Sequence, residues 1–434
     1  MSGITIGLIG LAAMMVLLLV RVPIAIALVV VSMGGLWALL DIGAAWSILQ
    51  TVPFEFAASW TLSAVPMFLL MGYVAYHSGL TTSLFNLSKA LIWRMPGSLA
   101  VASVLACSGF AAVCGSSIAC AAAMGRIAIP EMVRAKYDPN FASGTIAAGG
   151  TIGALIPPSI VLLVFGVFTQ TSVLDLFMGG IGVGLATALS YIAIILIVSA
   201  VRPDIVPRSV EKPEGVSVLG SLIETFPVLL LVFVVFGGLL GGIFTATEAG
   251  AIGAAAAIAI AFATRRMSIK MFIGSVYETA TTCAGLFIIA VGATMLTRFL
   301  SISGTGDFIS GFFTGMDLDY WQLMLLITLI YLILGMFMDP LGAMLITLPI
   351  FMPIIQAEGL SMIWFGVYVA KLLETGMITP PFGLNVFVIK SVVGDMTSLA
   401  GIFRGVAFFI VADIIVVGAI IIWPEIVLFF PTVL

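Results

Sequence analysis

The 434-residue chain reads as an all-α polytopic membrane protein made of two inverted-topology repeats, each holding a re-entrant hairpin and a helix broken by a proline pair. Three observations carry this reading. The first is composition: 62% hydrophobic, 8% charged and a mean hydropathy of +1.30, where a soluble domain has about 45–50% apolar and about 25% charged residues. The second is a Gly-x-x-x-Pro-Pro break that occurs twice in apolar sequence, at Gly153–Pro158 and Gly376–Pro381, with an offset of 223 residues between the copies. The third is charge. Arg21, Lys89 with Arg94, Arg126 with Arg134 and Lys136, Arg202 with Arg208 and Lys212, and Arg265 with Arg266 and Lys270 punctuate the apolar runs, whereas the stretch between Arg298 and Lys371 has no Lys or Arg and holds Asp307, Asp317, Asp319 and Glu358. Basic loops stay cytoplasmic. Shifted by 223 residues, the basic segments fall on the acidic ones, as two halves inserted in opposite orientations require, with a pseudo-two-fold axis in the membrane plane.

The elements follow in order. Residues 3–78 form scaffold helices; no basic n-region or A-x-A-like cleavage site precedes the first, so 3–20 reads as a retained membrane helix. Residues 81–95 form an amphipathic arm on which Leu84, Leu87, Leu91 and Ile92 share one face, with Lys89 and Arg94 toward headgroups. It serves as an interfacial anchor or as a hinge. Residues 98–133 have basic flanks at both ends and Gly115-Ser116-Ser117 at the midpoint, leaving arms of about 17 residues, at the short limit for a span. A re-entrant hairpin fits better than two crossings. The broken helix covers 141–170 and a final helix 175–200. A basic connector, 201–217, holds Pro203, Pro207 and Pro213. The second repeat then has scaffold helices 218–264, a long helix 271–300, an arm 304–318, a hairpin 321–354 with Asp339-Pro340 at its tip, a broken helix 362–395 and a helix 399–423.

Proline removes an N–H and blocks the carbonyl four residues back. The breaks therefore free the carbonyls of Gly153, Ala154, Gly376 and Met377, which in lipid must be satisfied by protein, water or an ion. Paired breaks in two halves point to a transporter's binding site. Na+ is a hard cation suited to such carbonyls beside hydroxyl and carboxylate oxygens. The candidate ion ligands are Gly115, Ser116, Thr151 and Gly153 in one half, and Asp339, Thr375, Gly376 and Thr379 in the other. The first break is expected to form a site with the Ser116-Ser117 tip, and the second a site with Asp339. Candidate substrate contacts are Ser117, Pro158, Ser159, Thr379, Pro381, Gly383 and Asn385, where half-helix N-termini offer N–H groups to an anion. Asp339 is the sharpest single candidate, because a carboxylate at membrane depth costs about 2.5–3.5 kcal/mol on insertion scales; it is equally an N-cap. Glu374 tunes a site or lines the cavity.

Other polar positions have local roles. Thr245 with Glu248 and Ser172 with Asp175 match the capping-box pattern. His77 is expected at an interface, and Arg298 stands against the charge rule. Cys107, Cys114, Cys120 and Cys283 lack CxxC spacing and read as buried small residues. Nothing suggests a nucleic-acid surface.

The runs Gly115-Ser-Ser-Ile-Ala, Ile129-Pro-Glu-Met132, Gly149-Gly-Thr-Ile-Gly-Ala-Leu-Ile-Pro-Pro-Ser159, Gly242-Ile-Phe-Thr-Ala-Thr-Glu-Ala249 and Ile378-Thr-Pro-Pro-Phe-Gly-Leu-Asn-Val-Phe387 resemble the large membrane subunit of tripartite ATP-independent periplasmic (TRAP) transporters, the DctM family. The likeness spans essentially the whole chain. It implies an elevator-type, Na+-coupled importer of an organic acid such as a C4-dicarboxylate or sialic acid in the bacterial inner membrane. It also implies a small DctQ-type membrane subunit, expected as a separate polypeptide, and a periplasmic DctP-type substrate-binding protein. Two positions depart from the family pattern: Ala246 replaces a usual Pro, and Gly182-Val183-Gly184 a usual Pro-Gly. Both lie away from the candidate ion ligands.

Alternative functions weigh less. A membrane enzyme would need a catalytic constellation, and the chain has one His, no H-E-x-x-H and no Gly-rich phosphate loop. A passive channel would conduct continuously. A self-sufficient divalent-anion/Na+ symporter would need no binding protein, and the combined motifs argue against it. No side chain of the candidate site selects one organic acid over another. The inverted arrangement predicts that reporter fusions at Asp204 and Arg266 read cytoplasm and a fusion at Gly359 reads periplasm. Gly359 and Arg266 on one side of the membrane would end the inverted-repeat reading.

Overall fold

The computed structural model describes residues 2–20, 22–207, 217–315 and 319–433. Arg21, Arg208, Lys212, Pro213 and Asp317, together with the end of the connector and the end of the second arm, lie outside the described residues. Among the described residues there are twenty α-helices and no strand. Seven are long and apolar enough to cross a membrane singly; an eighth span results if Ile42–Ala57 and Trp60–His77, bent by 57°, count as one.

The 223-residue offset recurs in the helices. α6 (Ser98–Cys114) and α7 (Ser117–Arg134) form the first hairpin, and α15 (Tyr320–Phe337) and α16 (Pro340–Ala357) the second, so 117–134 maps onto 340–357 without remainder. α8 (Pro139–Thr151) and α9 (Ile160–Thr169) flank the first break, as α17 (Met362–Gly376) and α18 (Leu384–Val393) flank the second. α10 (Val173–Val201) corresponds to α19 (Leu399–Ile422), and α5 (Leu80–Ile92) to α14 (Thr305–Gly315). Both halves are thus one set of elements used twice.

Local chemistry sets each hairpin tip. α6 ends at Gly115, whose φ of +62° is a left-handed conformation that favours glycine. Ser116 then caps α7, its hydroxyl accepting the Ala119 N–H at 3.4 Å. At the second tip Asp339 caps α16, one carboxylate oxygen accepting from Leu341 and Gly342 at 3.1 Å each, with Pro340 at the first helical position. The capping role foreseen for Asp339 is therefore present.

Two sets of helices carry much of the packing, and contacts such as α5 on α6 join them. α2 (Ile24–Leu39) and α4 (Ala64–His77) pack on α13 (Ile269–Ile302), α4 on α12 (Ala246–Ala263), and α11 (Val218–Leu240) on α5 and α12. In the other group α8 packs on α7 and α19, α7 on α18, α17 on α15 and α10, and α10 on α19 and α20 (Glu425–Val433). Hairpins and broken helices of the two halves therefore interlock in a core. The α8–α19 crossing brings backbones together: a Cβ on Gly144 would lie 2.3 Å from the Gly405 carbonyl carbon, and one on Gly405 would lie 1.9 Å from the Asn140 oxygen. Small residues are what permit such an approach.

Polar pairs link the surrounding helices. Thr245 and Glu248 form a full capping box, whereas at Ser172 only the hydroxyl-to-Asp175 N–H half is seen, at 3.3 Å. His77 Nε2 lies 3.2 Å from Glu278 and ties α4 to α13. Arg298 donates to Glu55 at 2.6 Å and ties α13 to α3 (Ile42–Ala57), which gives the out-of-place cation its partner. All four cysteines are free and buried.

The arm α5 differs from expectation. Lys89 does not reach for headgroups; its ammonium lies 2.8 Å from Glu131 of α7 and is 13% exposed, while Leu91 is 60% exposed. The reason is that α5 packs against α6 on one side and α11 on another. Thr225 of α11 donates to the Ser83 carbonyl at 2.9 Å and ties the arm to that helix.

The glycine crossing generates a stability prediction. Gly405→Leu is expected to cost at least about 1–3 kcal/mol by overpacking and to remove most of the monodisperse peak in fluorescence-detected size exclusion. Gly418→Leu, on the same helix with open space beside it, is expected to leave that peak in place.

Candidate functional site

At the first break α8 tightens into a 3-10 turn, Ile152–Ala154, before the cis Pro157–Pro158 bond. Ser159 then does two things: it caps α9 by accepting the Leu162 N–H at 3.2 Å, and it donates to the freed Ala154 carbonyl at 2.5 Å. At the second break, before and after the cis Pro380–Pro381 bond, the Thr379 N–H donates to Gly376 at 3.0 Å and the Asn385 N–H to Met377 at 3.1 Å. Gly383, with φ +61°, makes the turn that brings Asn385 back. Three of the four freed carbonyls thus have protein donors; the Gly153 carbonyl has none among the described residues.

The first hairpin tip sits directly on the first break. A Cβ on Gly115 would fall 2.3 Å from the Pro158 oxygen, and one on Gly153 would fall 2.9 Å from the Ser116 oxygen. The Ile160 N–H also donates to the Gly115 carbonyl at 3.4 Å. Backbone therefore meets backbone, which only glycine at both positions allows.

A cavity of about 190 Å3 opens at this junction. Gly115, Ser116, Ser117 and Ala154 of the first half and Asp339 and Glu374 of the second line it, and Tyr73 and Thr282 of the surrounding helices also face it. Asp339 thus stands with the Ser116-Ser117 tip on one cavity. The first residues of three helices converge on the same space: Ser117 and Ile118 of α7, Ile160 and Val161 of α9, and Pro340 and Leu341 of α16. A larger cavity of about 380 Å3, bounded by Glu55, Gln170 and Arg298 among others, contains none of the candidate site residues.

Behind the cavity lies a buried polar network that the residue-by-residue reading missed. Lys371 and Asp413 are both fully buried, with Nζ 2.5 Å from Oδ1. The same carboxylate accepts from the Tyr191 hydroxyl at 2.8 Å and the Thr375 hydroxyl at 3.1 Å. Tyr191 in turn lies 3.3 Å from the Thr151 hydroxyl. Thr151 and Thr375, both candidate ion ligands, are thereby joined through Tyr191 and Asp413 across α8, α10, α17 and α19. An ionisable residue within an apolar helix was the available signal; Asp413 in 399–422 carries it plainly.

Glu374 lies at the boundary of network and cavity. Its Oε1 accepts from Ser117 at 3.1 Å, and its buried Oε2 has no partner among the described residues. Ser117 also lies 3.6 Å from the Met377 sulfur. Other candidates are placed apart. Thr379 donates to the Thr375 carbonyl at 2.7 Å, and Asn385 Nδ2 lies 3.4 Å from the Ala147 carbonyl, its Oδ1 buried without a partner. Pro158 and Ser159 are buried, whereas Pro381 is exposed.

Residues 11–426 match the family described as Tripartite ATP-independent periplasmic transporter, DctM component. The chain is 36% identical over 342 residues to the C4-dicarboxylate TRAP transporter large permease protein DctM of Pseudomonas aeruginosa, with 79% of each covered. It is 30% identical over 374 residues to the sialic acid TRAP transporter large permease protein SiaM of Vibrio cholerae, with 86% of each covered. Its fold is similar to that of the Alcanivorax borkumensis YdaH transporter, whose structure is described as revealing an unusual topology, at a TM-score of 0.63 and 15% identity over 89% of this chain and 90% of that one.

Breaking the Lys371–Asp413 pair from one side leaves a buried charge uncompensated. Lys371→Met is expected to destabilise the protein by about 3–5 kcal/mol, and Lys371→Met with Asp413→Leu to recover a large part of that loss. Thermal melting of the purified variants checks both, and a double variant no better than the single would remove the ion pair as the cause.

Proposed function

The chain belongs to the DctM family of tripartite ATP-independent periplasmic transporters, and from that premise we propose that it performs Na+-coupled import of an organic acid across the bacterial inner membrane. The observation that carries the reading is the convergence of three helix N-termini and two carboxylates on one cavity between the halves. Helix N-termini present unpaired N–H groups and a positive dipole end, which favours a carboxylate substrate. Asp339 and Glu374 favour a cation in the same space. An anion and a cation that occupy one cavity screen each other, so neither binds well alone. That mutual dependence is the physical basis of symport.

Relatives named for C4-dicarboxylate and sialic acid transport support a carboxylate substrate. Candidate ion ligands in this mechanism are the Gly115-Ser116 tip with the Gly153 carbonyl, and Asp339 with the second break at Gly376 and Thr379. Thr151 and Thr375 hold the two halves in register behind them. The interlocked core of hairpins and broken helices is suited to move as one body against the surrounding helices, as an elevator requires. Each net positive charge carried inward gains about 2.3 kcal/mol per 100 mV of membrane potential. The cavity has no basic side chain among its lining residues, so selection among acids falls to a periplasmic binding protein that delivers the substrate. A small membrane subunit completes the assembly.

Proteoliposomes holding this chain and its small subunit are expected to accumulate substrate only when an inward Na+ gradient and the binding protein are both present. Na+-driven uptake of free substrate without the binding protein would overturn the tripartite reading. Uptake indifferent to Na+ would overturn the coupling.

A further inference from the structure

We propose that Glu374 is the charged ligand of a monovalent hard cation, bound jointly with Ser117 at the seam between the two halves. Glu374 is fully buried and lines the cavity, and its Oε2 has no hydrogen-bond partner among the described residues. Its other oxygen accepts from Ser117, 257 residues away in the first hairpin tip, at 3.1 Å. An ionised carboxylate taken from water without a counter-charge is costly, and the cost is removed by a cation in the adjoining space.

The neighbouring groups do not supply that charge. Lys371, one turn earlier on α17, is engaged at 2.5 Å by Asp413, so the pair is neutral as seen from Glu374. Asp339, across the cavity, is itself an anion whose Oδ1 already accepts from Leu341 and Gly342. Tyr73, the remaining titratable side chain on the cavity wall, is shared with the Thr282 hydroxyl at 2.9 Å. One uncompensated carboxylate calls for one positive charge. Its oxygens and the Ser117 hydroxyl are hard donors, which selects an ion of the Na+ class over softer metals. On binding, the Ser117 hydroxyl would turn its lone pair to the ion in place of donating to Glu374. The ion would then join the first hairpin to the second broken helix and lower the negative charge that opposes an anionic substrate.

This inference rests on the Na+-coupled reading above and adds a ligand and an order to it, cation before anion. The test is thermal melting of the purified full-length chain in NaCl against choline chloride at equal ionic strength and fixed pH, for wild type, Glu374→Gln and Ser117→Ala. Wild type is expected to melt higher in Na+. Glu374→Gln is expected to need about tenfold or more Na+ for half of its shift. Ser117→Ala, which removes one neutral ligand, is expected to raise that concentration by a smaller factor. A carboxylate with a structural role alone would lower the melting point in both media and leave the Na+ response unchanged, which would overturn the proposal. If Glu374→Gln does not fold, an unchanged Na+ response in Ser117→Ala overturns it equally. A wild type indifferent to Na+ would instead overturn the coupling on which the proposal rests.

Discussion

Backbone opened by a proline pair within an apolar helix must find new partners, and much of the core is arranged around that constraint. Each break frees two carbonyls, and the two halves supply different donors to three of the four. In the first half a side chain, Ser159, covers Ala154. In the second the chain folds back on itself, so that the N–H groups of Thr379 and Asn385 cover Gly376 and Met377. The turn at Gly383 is what makes the second solution possible. The repeats thus share a break and differ in its repair.

The same asymmetry appears in exposure. Pro157 and Pro158 are buried beneath the first hairpin tip, whereas Pro380, Pro381 and Phe382 are exposed. The first break is closed because Gly115 and Gly153 let the tip's backbone lie on it. At the second, Phe337 meets Phe382 at a tilt with centroids 5.0 Å apart, and a Cβ on Gly376 would fall 2.7 Å from the Gly335 Cα, so backbone also meets backbone there, one turn before the exposed prolines. One sequence motif therefore serves two environments.

Charge is handled by pairing within the core and around it. Asp413 collects Lys371, Tyr191 and Thr375, and so binds three helices from both halves at one carboxylate. Lys89 with Glu131 and Arg298 with Glu55 do similar work nearer the surface, where exposure makes each pair worth less. Among the described residues, Glu374 is the one buried acid that keeps an oxygen without a donor. It also faces the cavity between the halves, together with Asp339.

What the sequence determined by itself is whatever acts along the chain. Proline pairs break helices wherever they stand, glycine at 115 permits a left-handed residue, and Ser116 and Asp339 cap the helices that follow them; these and the 223-residue offset were legible from residue type and spacing. Hydropathy marked the apolar helices for the same reason. The tertiary structure alone decided which distant groups meet. Nothing local to Lys371 points to Asp413, and nothing local to Ser117 points to Glu374. The inward turn of Lys89 depended on where α6, α7 and α11 lie, not on the periodicity of α5. A hydrogen-bond partner lies within about 3 Å, and for residues separated by hundreds of positions that distance is set by packing, which local pattern does not encode.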